Sequence, residues 1–170
     1  MAPPGALTPR NASRAPRATI LFSSTDPFAS MSSEDQPQGP TPYDQLGGEH
    51  GVRALVDRFY DLMDLEPRFA ALRAIHPTTL DGSRDKLFWF LSGWLGGPDL
   101  YQQQFGHPRL RMRHFPYAIG VAERDAWLDC MRQALQEQGV EQELRARLQQ
   151  AFDGTADWMR NRAEPGQGAA

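Results

Sequence analysis

The sequence predicts an all-α domain, and three observations lead there. Apolar residues recur at three- and four-residue steps in each patterned stretch from position 43 onward, and strand-like alternation of useful length is absent. Clusters of Gly and Pro separate one stretch from the next, as helix stops and corners do.

Residues 1–42 precede the pattern. They carry Pro3, Pro4, Pro9, Pro16, Pro27, Pro37, Pro40 and Pro42 among Ser, Ala and Gln. Such a composition buries too little apolar surface to offset its ordering entropy, so a disordered tail is expected there. Arg10, Arg14 and Arg17, with no acid before Asp26, superficially resemble a transit peptide, but 18–22 is too short for a secretory hydrophobic region. Met31 opens a plausible start of its own. Structure is expected from Tyr43.

After a turn through Gly47 and Gly48, Val52, Leu55, Val56, Phe59, Leu62 and Met63 make a core-facing stripe over about three helical turns. Tyr60 lies four residues after Val56 and projects near that stripe, either as a satisfied core residue or as a pocket donor. A short helical piece at 67–72 leads to Ile75, His76 and Pro77, where the proline disfavours a helical His76 and marks a corner.

The next helix should start near Asp81, with Leu87, Phe90, Leu91, Trp94 and Leu95 on one stripe. Ser83 falls one turn before Leu87, and Lys86 sits beside the stripe as a rim cation would. Gly96, Gly97 and Pro98 end this helix. A helical turn is expected within 98–105. Pro108 then fits the first turn of a short helix in which Leu110 and His114 share a side. Arg109, Arg111 and Arg113 point elsewhere, as a solvated basic face or as partners for a two-carboxylate cofactor.

Past Pro116 and Gly120, Glu123 stands near the positive end of a helix whose stripe is Trp127, Leu128, Met131, Ala134 and Leu135. Gly139 punctuates. The last helix carries Leu144, Leu148, Ala151, Phe152, Thr155 and Met159 before a Gly-rich end, taken as flexible over 163–170.

Composition narrows the function classes. The 170 residues hold 21 acidic and 18 basic side chains, net −3, a near-balance that gives no electrostatic case for nucleic acid or an anionic membrane. No apolar run approaches the ~20 residues that span a bilayer. Cys130 is the single cysteine, so no intrachain disulfide can form, and a soluble cytoplasmic protein is the expectation. There is no phosphate-binding glycine loop, CxxC pair, HExxH helix or GxSxG elbow. His107 and His114 lie seven apart, whereas zinc pairs on one helix usually sit three or four apart. A small-molecule or cofactor pocket, a helical interaction module or a structural protein remain. Aromatic stripes containing Phe88, Trp89 and Trp94 are, taken alone, ordinary packing.

The patterned chain reads YDQLGG at the start, RFY in the second helix, GGP after the third, and above all GHPRLRMRH followed by ERDAW. Through these motifs residues 43–160 resemble the truncated haemoglobins, in particular group II. The resemblance implies a two-over-two helical sandwich over 43–162 that binds haem b. Matched residue by residue, it implies His114 as proximal iron ligand, with Tyr60, His76, Ser83 and Trp127 on the distal, ligand-binding side. It further implies Leu87, Phe90 and Leu110 as pocket residues, and Lys86 and Arg113 near the haem propionates. One axial histidine suffices in such a site, because the porphyrin supplies four ligands.

Tyr60, Trp127 and His76 would each offer a proton to a bound diatomic ligand. That suits tight oxygen binding, nitric oxide oxidation or peroxidase-like chemistry better than bulk oxygen delivery. The expected partners are oxygen and other diatomic ligands and an unidentified reductase, with a homodimer left open. A haem redox sensor and a non-haem helical interaction module are the competing readings. The N-terminal extension departs from the family pattern.

Overall fold

A computed structural model describes residues 39–163. The expected disordered tail lies outside the described residues as far as position 38, and the expected flexible end does so from position 164. Order begins slightly earlier than Tyr43. Thr41 caps a first helix, α1 (Pro42–Gln45), through a reciprocal box: its hydroxyl accepts from the Asp44 amide at 3.2 Å and its own amide donates to the Asp44 carboxylate at 3.0 Å.

Among the described residues all regular structure is helical. After α1 come α2 (Gly48–Leu65), a 3₁₀ turn (Pro67–Phe69), α3 (Ala70–Ala74), α4 (Asp81–Trp94), α5 (Leu100–Phe105), α6 (Leu110–His114), α7 (Val121–Glu137) and α8 (Gln142–Met159). Helices α2 and α4 form one packed pair and α7 and α8 the other, and α2 also packs on α7. This is the two-over-two sandwich.

Helix α2 is its centre. Seven of its side chains are buried, Val52, Leu55, Val56 and Phe59 completely. Each large side chain so buried is worth on the order of 1.5–3 kcal/mol. The ion pairs that also join α2 to α4, Arg53 to Asp85 at 2.9 Å and Arg84 to Asp61 at 2.6 Å, are half-exposed and worth ~0–1 kcal/mol each. Burial therefore sets the position of α2, and the ion pairs trim it.

Two of the sequence motifs meet here for a packing reason. The Tyr43 ring lies so close over Gly97 that a Cβ there would come within 2.5 Å of it, and the Tyr43 amide donates to the Leu95 carbonyl at 3.0 Å. The opening motif and GGP are thus two halves of one contact. Gly51 is required by a closer approach still, since a Cβ would sit 1.6 Å from the Leu46 carbonyl oxygen.

Several expectations need correction. The stripe on α4 is two faces: Phe88, Leu91, Ser92 and Leu95 are buried in the core, while Leu87, Phe90 and Trp94 are only half-buried and face a cavity. Ala151 is exposed rather than part of the α8 stripe. Pro108 precedes α6 instead of entering its first turn, because Arg109 takes a left-handed conformation (φ 45°) and the helix begins at Leu110. Among the described residues no helix is long and apolar enough to cross a membrane.

Candidate functional site

A cavity of about 490 Å³ lies between α4, the short α6, and the α7–α8 pair, within the size range of small-molecule and cofactor pockets. His114, Tyr60, His76, Ser83, Trp127, Lys86, Leu87, Phe90, Leu110 and Arg113 all line it. Phe152, Thr155 and Met159 of α8 complete the wall, residues that periodicity had marked only as core.

His114 ends α6 half-buried, and its Nδ1 lies 2.7 Å from the Leu110 carbonyl. A carbonyl oxygen can only accept, so Nδ1 carries the proton and Nε2 of the neutral ring keeps its lone pair. Such a backbone bond is the usual means of fixing the tautomer and direction of a metal-binding imidazole. Among the described residues no group of three or more His, Cys, Asp and Glu is placed to hold an ion. A metal here would have to bring most of its ligands with it.

Tyr60 of α2 is 5% exposed and shares the cavity wall with Ser83. Burial pushes its pKa upward, so it stays protonated. Trp127 is wedged between Phe59 (ring centroids 5.3 Å apart) and Phe152 (5.6 Å). Its plane is thereby fixed from two sides.

His76 behaves differently from the proton donor expected. Its Nδ1 lies 2.9 Å from the Leu72 carbonyl and so spends its proton there. Burial, with a smaller contribution from the nearby Arg73 charge, holds its pKa below the ordinary value of 6.5 despite that bond. At neutral pH the ring is uncharged, and Nε2 is an acceptor.

The fold and cavity place the chain among known proteins. Residues 41–161 match the family model described as "Bacterial-like globin".

The chain belongs to the bacterial-like globins. It is 40% identical over 123 residues to the group 2 truncated hemoglobin YjbI of Bacillus subtilis (strain 168), covering 72% of this chain and 90% of that protein. The group II 2-on-2 hemoglobin of Agrobacterium tumefaciens superposes with a TM-score of 0.71 at 45% identity, covering 75% of this chain and 98% of the other. The truncated oxygen-avid haemoglobin of Bacillus subtilis does so with a TM-score of 0.66 at 39% identity, covering 72% and 100%. Membership implies haem binding and a capacity for diatomic ligands such as oxygen.

The cavity of this globin fits that cofactor on its own chemistry. It offers the bare imidazole nitrogens of His114 and His76, apolar walls from Leu87, Phe90, Leu110 and Ile119, and a cationic rim from Lys86 and Arg113. Lys86 is exposed. The Arg113 guanidinium is held by the Pro108 carbonyl at 3.0 Å and stands over the Tyr101 ring at 5.8 Å.

No local pattern announces what secures the segment that carries His114. Asn161 donates to the carbonyls of His114 (3.1 Å) and Tyr117 (2.8 Å) and accepts from the Ile119 amide (3.1 Å). Arg111 reaches the Trp158 carbonyl. The end of α8 and Asn161 just beyond it thus tie down α6, which carries His114, and the turn that follows it. Of Arg109, Arg111 and Arg113, the second is therefore structural. Glu123 turns back to the Gly120 amide at 2.8 Å, a capping role that its position near a helix start anticipates.

Proposed function

We propose that this globin binds haem b through His114 as the proximal ligand and holds oxygen on the side of Tyr60 and Trp127. The observation that carries the reading is the His114 Nδ1 contact with the Leu110 carbonyl at 2.7 Å, which leaves Nε2 free in the wall of the cavity. Haem iron, when bound, supplies the position at which a diatomic ligand coordinates.

The residues around it do the rest. Lys86 and Arg113 neutralise the two carboxylates at the rim. Leu87, Phe90 and Leu110 exclude water. The Tyr60 phenol and the Trp127 indole would donate to a diatomic ligand held in the cavity, each bond being worth on the order of 1.5–3 kcal/mol to a charged acceptor. Two such bonds slow release by roughly a hundredfold or more, so tight binding in the cytoplasm, with reduction by a separate protein, fits better than bulk delivery. A relative of 39% identity bears the description oxygen-avid, which supports the same reading.

One observation favours a second reading. The His76 Nε2 lone pair can take up the proton of an incoming peroxide, as a general base does, while its Nδ1 stays tied to Leu72. Peroxidase-like activity is the chemistry this arrangement suits beyond oxygen binding. The first test is an optical spectrum of the purified ferrous, ferric and oxygenated protein beside His114→Ala. A Soret band in the wild type and its loss or marked change in the variant are expected, and a colourless wild type would overturn the reading.

A further inference from the structure

Outside the haem cavity the structure holds a second hollow, an open groove of about 610 Å³ between the end of α2 and the corner that follows α3. Its floor is largely apolar, from Met63, Leu65, Pro67, Ala70 and Ala74. Between groove and cavity runs one thickness of chain. Leu72, Ile75 and Pro77 line the cavity, Arg73, Ala74 and Thr78 line the groove, and His76 lines both.

This thin wall follows from the sequence. Pro77 stops α3 from continuing, so residues 75–80 cross the gap as an irregular corner instead of a helix with a second layer behind it. The wall is held shut at one place. The Arg73 guanidinium binds Asp64 at the end of α2 (2.7 Å) and the carbonyls of Pro77 (2.8 Å) and Thr78 (2.8 Å). His76 itself is fixed by its Leu72 bond and by its amide, which donates to the Arg73 carbonyl at 3.0 Å.

We propose that this corner is the port through which neutral diatomic ligands reach the distal pocket. His76 is its swinging partition, and the Arg73–Asp64 clamp keeps it closed. The proposal rests on the haem reading above. The cavity's rim at Lys86 and Arg113 is the one that the cofactor's carboxylates would occupy. On the α2 side the cavity is backed by fully buried Phe59 and by Tyr60. At the corner His76 alone is shared by groove and cavity, and its ring centroid lies 6.0 Å from that of Tyr60. Small uncharged gases gain from an apolar approach and need no charged guide.

The test is carbon monoxide rebinding after laser photolysis of the full-length haem-loaded protein. His76→Ala, which removes the partition, and Arg73→Leu, which removes the clamp, should each raise the second-order association rate at least about threefold. Arg53→Leu, which breaks the comparable ion pair to Asp85 away from the corner, should leave it unchanged. In parallel, amide hydrogen exchange of the full-length haem-loaded protein should speed up over 73–78 in Arg73→Leu and stay unchanged over 110–119. Soret-positive variants with wild-type association rates, or an Arg53→Leu rate raised equally, would overturn the port alone. Absence of any Soret band in the wild type would overturn the haem reading and the port with it.

Discussion

His76 and His114 line one cavity with the same hydrogen-bonding habit: each gives its Nδ1 proton to the carbonyl four residues earlier, Leu72 at 2.9 Å and Leu110 at 2.7 Å. In the neutral form of either ring, Nε2 then keeps the lone pair. What separates their roles is the element that carries them. His114 ends a helix tied down by Asn161, whereas His76 stands in a one-layer corner against an outside groove. The first arrangement suits a permanent ligand and the second a residue that moves.

Trp127 is expected to set oxygen retention. Its ring is clamped between Phe59 and Phe152, so Trp127→Phe removes the indole proton while leaving the packing largely intact. Stopped-flow oxygen dissociation should accelerate roughly tenfold or more, the worth of one bond to a charged acceptor. An unchanged rate would remove Trp127 from the ligand-holding role.

Acid should weaken the fold through His76. Its pKa is held below 6.5 by burial, so the folded protein binds fewer protons than the unfolded chain in the window below that value. The contribution is fully present above the ordinary value and is lost as pH falls through the lowered one. Urea unfolding of wild type and His76→Gln at about pH 7.5 and about pH 5 should show the wild type losing more stability on acidification. Equal losses would contradict the assignment.

Asn161 should matter to the proximal side without touching the cofactor. Asn161→Asp keeps the acceptor for the Ile119 amide and loses both donors to the His114 and Tyr117 carbonyls. A stability loss of about 1–2 kcal/mol is expected, together with faster haem transfer to an apo-globin acceptor than in the wild type. A variant that loses stability with unchanged haem transfer would mark Asn161 as structural only.

Cys130 should be inert. Its thiol is buried against the Phe59 carbonyl at 3.2 Å, and burial pushes its pKa up to about 12. Alkylation of the folded protein should be negligible near neutral pH and appear only on unfolding. Rapid labelling of the native protein would place the thiol elsewhere.

Much of this was legible in the chain because helix burial writes itself as three- and four-residue steps. The α2 stripe from Val52 to Met63 is read directly, and the interval from His114 to Trp127 pairs a segment end with an inward helix face. The division of α4 was not legible. Leu87 and Phe90 face a cavity and Phe88 and Leu91 a core, and both environments ask for apolar side chains. Asn161 acts on a carbonyl 47 residues earlier, a relation with no local pattern to announce it. The His76 tautomer depends on where the Leu72 carbonyl points, which only the folded corner determines. Pro108 misled because proline at a helix start and proline before a left-handed Arg109 look alike in sequence.

Resonance Raman spectroscopy of the deoxygenated ferrous protein tests the central assignment most directly. An iron–imidazole stretching band should be present in the wild type, vanish in His114→Gly and return when free imidazole is added to that variant. A band that persists in His114→Gly without imidazole would assign the iron to another residue and contradict the account.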